Sequence, residues 1–129
     1  MSLNLLLEKV KKKQVSIAVL GLGRVGLPLT SVLANSGFKV IGIDVNQSRL
    51  DSIKKGICPF YDPPLQENLE KSIASGNVSL VKNISESNLP DIVFFTVGTP
   101  SSGEGTVDYT QLYGALEEIS NLNLLTNMI

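Results

Sequence analysis

The amino-acid sequence predicts an α/β protein, a doubly wound parallel sheet in three layers folded as a single domain, and three observations carry that expectation. The runs Val15–Leu20 and Asp91–Val97 are rich in apolar and β-branched residues, the mark of strands buried on both faces of a parallel sheet. Strand-like runs alternate along the chain with segments whose apolar residues recur at helical spacing. The first of those strands leads directly into GLGRVG, a glycine-rich turn that opens a helix.

Each element follows from local pattern. Leu3, Leu6, Leu7 and Val10 recur at helical spacing, and Lys11, Lys12 and Lys13 suit the negative end of the resulting helix dipole, so residues 1–14 read as a leading helical extension with a solvated basic end. After the glycine turn, Val25, Leu29, Val32 and Leu33 mark the apolar face of a second helix, closed by Gly37. Pro28 falls near the end of the first turn of that helix and removes one intrahelical hydrogen bond. Phe38–Asp44 reads as a strand, and Asn46–Lys55 as a helix with an asparagine N-cap and a stopping Gly56. The prolines of ICPFYDPP leave little room for regular structure, so the next helix is expected over Leu65–Ser75, followed by an extended Val78–Val81. A small-residue loop, GTPSSGEGT, follows the Asp91–Val97 strand. Asp108 then caps a helix to about Ser120, with Gln111 completing a capping box.

Composition narrows the function. A chain of 129 residues holds one domain with its own core, and 43% apolar with 18% charged residues is a globular composition. Its 11 basic and 12 acidic residues leave a net charge of -1, with no broad positive field for nucleic acid. No apolar run reaches the roughly 18 residues of a membrane helix, and the start MSLNLLLEKVKKK reverses the order of a secretory signal. Neither export nor membrane insertion is expected. Cys58 has no second cysteine to pair with and no histidine to join it in a metal site or Cys–His pair. No metal and no catalytic nucleophile are expected, and a cytoplasmic location is the natural reading.

Three stretches carry candidate chemistry. Gly21, Gly23 and Gly26 fit G-x-G-x-x-G, and with a strand before and a helix after, Gly21, Leu22, Gly23, Arg24, Val25 and Gly26 become candidates to cradle a pyrophosphate. Asp44 ends the second strand at about the 20-residue separation of the carboxylate that takes an adenosine ribose, which favours NAD over NADP because its charge repels a 2′-phosphate. Arg49 has several readings: a contact to the adenine or ribose, a partner for a 2′-phosphate, or a solvated helix arginine. Val97, Gly98, Thr99 and Pro100 leave the carboxyl end of a buried strand, where ligands bind in open α/β sheets, although a plain surface loop would look the same.

Taken together, GLGRVGLPL, GIDVNQSRL, FYDPPL and FFTVGTP resemble the N-terminal Rossmann domain of the UDP-glucose/GDP-mannose dehydrogenase family, the nucleotide-sugar 6-dehydrogenases. The resemblance runs from about Val15 to Ser120, and the leading LLEKVKKK helix is similar to an extension found in the UDP-N-acetylhexosamine branch. It implies an NAD-binding domain over 15–120, with pyrophosphate on Gly21–Gly26, ribose on Asp44 and Arg49, and Val97–Pro100 toward the nicotinamide. It further implies a parent enzyme that takes the C6 alcohol of UDP-glucose, a UDP-N-acetylhexosamine or another NDP-sugar to the uronate with two NAD, through a cysteine thioester. Two residues depart from the family pattern: Arg24 stands where tyrosine is frequent, and YDPPL replaces YEPGL. The family's catalytic and sugar-binding segments would lie beyond NLNLLTNMI, so residues 121–129 are expected to be a truncated tail and the chain alone an inactive fragment. A sheet edge left open after Ile119 predicts marginal stability or self-association into a homo-oligomer. Two further readings are the cofactor domain of a 3-hydroxyacid or 6-phosphogluconate dehydrogenase, and a non-catalytic NAD-binding module.

Overall fold

The structure is a computed structural model that describes residues 2–86, 89–98, 105 and 107–121. Helix α1 (Leu3–Lys11) precedes strand β1 (Ser16–Leu20), and α2 (Gly26–Asn35), β2 (Lys39–Ile43), α3 (Gln47–Lys54), α4 (Pro63–Ala74) and β3 (Val78–Val81) follow. A short 3₁₀ turn at Ile84–Glu86, β4 (Ile92–Phe95) and α5 (Thr110–Asn121) complete the described elements. The strands form one parallel sheet in the order β3-β2-β1-β4, so the chain winds outward from β1 to one side and then crosses back to the other. That is the expected doubly wound Rossmann-like architecture. The crossover from β3 to β4 makes the carboxyl ends of β1 and β4 a switch point of the kind at which such sheets bind ligands.

The two-residue period of the strands divides the core between two faces. Ile17, Val19 and Val40 point to one side and pack with Leu27 of α2, Leu50 and Ile53 of α3 and Leu65 and Leu69 of α4. Ala18, Leu20, Ile41, Ile43 and Val93 point to the other and pack with Ile84 and with Ile119 of α5. Helices on both faces give the three layers. The sheet's central position explains why β1 is apolar throughout: of its five residues only Ser16 is not fully buried.

Helix ends obey local chemistry. Asn46 accepts the Arg49 N–H at 3.0 Å and caps α3 as expected. At the C-terminus of α2 the Gly37 and Phe38 N–H groups return to the carbonyls of Ala34 and Leu33, and at that of α3 Gly56 and Ile57 return to Ile53 and Ser52. Both ends close as Schellman motifs, with Gly37 at φ 99° and Gly56 at φ 75°.

Several boundaries differ from expectation for identifiable reasons. Helix α4 begins at Pro63, because Pro63 and Pro64 occupy its first two positions, where an N–H has no intrahelical partner to lose, and Asp62 caps the turn by accepting the Leu65 N–H at 3.1 Å. The prolines of that loop therefore start the helix rather than delay it. Asp108 lies two residues before α5 and accepts from the N–H and hydroxyl of Thr110 at 2.9 and 2.5 Å. Gln111 consequently sits in the first turn with its side chain against Gly98, and the capping box does not form. The bond ladder at the start of α2, Leu27 to Gly23 and Leu29 to Val25, passes over Pro28 as its ring requires.

Helix α1 is tied to the domain. Leu6 and Val10 pack on the α2 side of the core, and Lys9 pairs with Asp91 at 2.7 Å. The same Asp91 oxygen accepts the Ser16 N–H at 3.0 Å, joining α1, β1 and the start of β4. Burial alone would raise the Asp91 pKa, but the hydrogen bonds from Lys9 and Ser16 and the Lys9 charge outweigh it and hold it below the ordinary 3.8. The lysine run is not solvated throughout, since Lys13 donates to the Ser36 carbonyl at the negative end of α2 and stands 5.9 Å from the Phe38 ring centroid.

Candidate functional site

The carboxyl end of β1 brings together most of the residues singled out in the sequence. Gly21 continues the sheet for one residue, donating its N–H to Ile43 at 2.8 Å, and turns with φ 94°. A Cβ at Gly21 would stand 2.7 Å from the Thr96 carbonyl oxygen, and one at Gly26 would stand 1.8 Å from the Gly21 carbonyl oxygen. Backbone crowding therefore demands both glycines. Gly23 is different, because a Cβ there would meet no protein atom within 4 Å.

The turn leaves donors unused. Among the described residues the main-chain N–H groups of Gly23, Arg24, Val25 and Gly26 find no protein acceptor, whereas Gly21 and Leu22 on one side and Leu27 on the other are bonded. These groups lie at the N-terminus of α2, where the helix dipole adds partial positive charge. A run of free donors at a helix N-terminus, beside a glycine with open space over it, has the donor chemistry that suits an anion approaching the backbone.

Asp44 follows β2 immediately beside this turn. Its carboxylate is buried, with 7% of the residue exposed, and it accepts from the Leu22 N–H at 2.9 Å, the Asn46 N–H at 2.9 Å and Arg49 at 3.0 Å. Arg49 is positioned for this by its place one turn into α3, whose cap is Asn46 itself. A carboxylate offers about four lone-pair sites, and these bonds occupy all but one. Leu22 enters the site differently from its neighbours: its side chain is fully buried over Gly42, where a Cβ would be 3.1 Å from it, and its N–H is committed to Asp44.

Two residues that the sequence reading passed over complete the arrangement. The Thr96 hydroxyl stands 2.6 Å from the Gly21 carbonyl and 2.9 Å from the Leu20 carbonyl, so its single proton ties β4 to the glycine turn. Nothing in the sequence distinguishes Thr96 from any other strand-end threonine. Phe60 lies under Arg24, whose guanidinium carbon is 4.7 Å from the ring centroid. Of the loop after β4, Val97 packs on the α5 side of the core and Gly98 is exposed, while Thr99 and Pro100 lie outside the described residues. Cys58 is half-buried, packs on the core and donates its N–H to Gln66 at 2.8 Å. No cluster of His, Cys, Asp or Glu that could hold a metal occurs among the described residues, nor does a helix long and apolar enough to cross a membrane.

Comparison with known proteins matches residues 15–128 to the UDP-glucose/GDP-mannose dehydrogenase family, NAD binding domain. The chain belongs to this family. Its cofactor is accordingly NAD. This family member is 36% identical over 104 residues to the UDP-glucose 6-dehydrogenase TuaD of Bacillus subtilis, covering 80% of the chain and 23% of TuaD. It is 34% identical over 117 residues to the UDP-N-acetyl-D-mannosamine dehydrogenase of Methanococcus aeolicus, covering 90% of the chain and 26% of that protein. Among solved structures it resembles a ternary complex of GDP-mannose dehydrogenase from Pseudomonas aeruginosa, with a TM-score of 0.76, 33% identity and coverage of 80% of this chain and 24% of that one. The chain thus spans about a quarter of the length of these relatives.

Proposed function

We propose that this chain is the cofactor-holding part of a nucleotide-sugar 6-dehydrogenase, which oxidises the C6 alcohol of an NDP-sugar to the uronate in two NAD-dependent steps. The observation that carries the reading is the pairing of free N–H donors at Gly23–Gly26 with a buried, oriented carboxylate at Asp44. In this assignment the pyrophosphate lies on Gly21–Gly26, the adenosine ribose on Asp44 and Arg49, and the nicotinamide toward Val97, Gly98, Thr99 and Pro100. When bound, NAD supplies a two-electron hydride acceptor.

The residues of this chain bind and orient rather than transfer protons. Asp44 holds the turn through Leu22, so one side chain both shapes the phosphate cradle and presents an acceptor to the ribose hydroxyls. A diol that takes two acceptor positions needs one more than the free lone pair, and the Arg49 bond is the one that can yield, since Arg49 is the partly exposed partner. Cys58, fixed by Gln66 on the α4 side, has no role in this scheme, and the nucleophile of the thioester step is not assigned to any described residue. Relatives named for UDP-glucose, UDP-N-acetyl-D-mannosamine and GDP-mannose support the substrate class without choosing among its members.

Isothermal titration of the chain with NAD and NADP tests the assignment. NAD is expected to bind and NADP to bind at least about tenfold more weakly, by the repulsion of a 2′-phosphate from Asp44. Asp44→Asn should weaken NAD and narrow the difference. Binding of neither nucleotide, or a preference unchanged in the variant, would overturn it.

A further inference from the structure

We propose that Phe60 is a positioning residue for the cofactor: it carries the Arg24 guanidinium beside the glycine turn as a clamp on the pyrophosphate. The inference rests on the cofactor assignment above and adds to it a residue from a separate loop. Arg24 is exposed and makes no ion pair with any described carboxylate, in contrast to Arg49, which is bound to Asp44. Its one described partner is the Phe60 ring, at a distance where the ring's quadrupole attracts a cation. A charge held against an aromatic face keeps its N–H edges free, and the guanidinium fork matches two phosphate oxygens.

Phe60 can serve as a platform because it does not move freely. Its ring packs on the same part of the core as Leu22, within the phosphate turn, and Leu27, just after it. The surrounding loop is pinned by Gln66, which accepts the Cys58 N–H at 2.8 Å and donates to the Gly56 carbonyl at 2.7 Å, and by Asp62 capping α4. Stacking removes rotamer freedom from a long side chain before a ligand arrives, so less is lost on binding. The free N–H groups of Gly23–Gly26 and the guanidinium of Arg24 would then face one anion from the backbone and the side-chain side of the same turn.

A double-mutant cycle on the full chain, with NAD affinity read by calorimetry, tests this. Arg24→Ala is expected to weaken NAD about tenfold, the order of a charge-assisted contact, and Phe60→Ala about threefold to fivefold. Phe60→Ala introduced into the Arg24→Ala background should weaken NAD no further, and Phe60→Tyr, which keeps the ring, should bind as the parent does. Additive losses would show that Phe60 acts on the fold rather than through Arg24 and would overturn the inference, as would unchanged affinity in Phe60→Ala. Failure of the parent chain to bind NAD would overturn the cofactor assignment and this inference together. Binding by the parent with no loss in Phe60→Ala would overturn this inference alone.

Discussion

The three glycines of the turn make separable predictions, because backbone crowding requires two of them and the space beside the third is open. Alanine at Gly26 places a methyl 1.8 Å from the Gly21 carbonyl oxygen and 2.4 Å from the Thr96 hydroxyl. Contact distances between carbon and oxygen are far longer, and the obstructing atom is backbone at the end of a central strand, so α2 must move away from the sheet. Overpacking against such rigid neighbours costs about 3 kcal/mol, the upper end of the usual range, or a fall in melting temperature of roughly 10 °C for a domain of this size. Alanine at Gly23 meets nothing within 4 Å. Its φ is not in the left-handed region, so the substitution is expected to leave stability unchanged or raise it by up to about 1 kcal/mol through the unfolded chain.

Cofactor affinity should rank differently from stability. The methyl of Gly23→Ala would occupy the space through which a phosphate reaches the free donors, and an NAD affinity reduced at least about tenfold is expected from losing one charge-assisted hydrogen bond of about 1.5 kcal/mol or more. Urea unfolding and calorimetric titration of the two variants provide the readout. Gly23→Ala binding NAD as tightly as the parent would refute the cradle, and a fully stable Gly26→Ala would refute the described contact between α2 and the turn.

Other perturbations follow from particular bonds. Thr96→Val deletes the hydroxyl bonded to the turn and should cost about 1 kcal/mol of stability with a further loss of NAD affinity, while Thr96→Ser should restore both; equal behaviour of the valine and serine variants in titration would count against a role for the hydroxyl. The depressed Asp91 pKa means that its contribution to stability is fully present above the ordinary 3.8 and is lost as pH falls through the lower folded value. Asp91→Asn should therefore narrow the gap between stability at neutral and at acid pH, measured by denaturation from pH 7 to pH 2, and an unchanged profile would contradict the Lys9 and Ser16 contacts. Leu69→Ala, which empties a fully buried site between α4 and the sheet, should cost about 2–5 kcal/mol by urea unfolding, and a loss under about 1 kcal/mol would place α4 outside the core.

The fold and the site were legible to different depths. Strand β1 announced itself because a central parallel strand has no solvent face and therefore no polar alternation to confuse the reading, whereas β4, read with it as buried on both faces, lies at the edge of the described sheet with Phe94 and Phe95 only half-buried. The glycine turn was legible because its spacing reports backbone geometry, and the structure shows where that geometry comes from at Gly21 and Gly26. Two errors arose where position reverses a residue's usual meaning. Pro63 and Pro64 read as breakers but occupy the two helix positions that tolerate proline, and Asp108 read as an N-cap but bonds Thr110 from one residue earlier in the approach.

What stayed hidden in the sequence was contact between segments. Asp44 could be singled out as a ribose candidate from its separation along the chain, but not its bond to Leu22, which ties the carboxylate that follows β2 to the glycine turn. The same is true of Thr96 and Phe60, which reach the turn from β4 and from the loop before α4. These three contacts converge on six residues from three directions, so the turn is not a flexible glycine loop that a nucleotide must organise. Asp44 fixes its entry, Thr96 its first carbonyl and Phe60 its one cation, which leaves the free N–H groups as the part of the turn whose bonding a ligand has still to satisfy. Preorganisation of this kind predicts that mutating Thr96 or Phe60, neither of which is assigned a contact to the ligand, lowers affinity, a pattern that a site formed only on binding would not show.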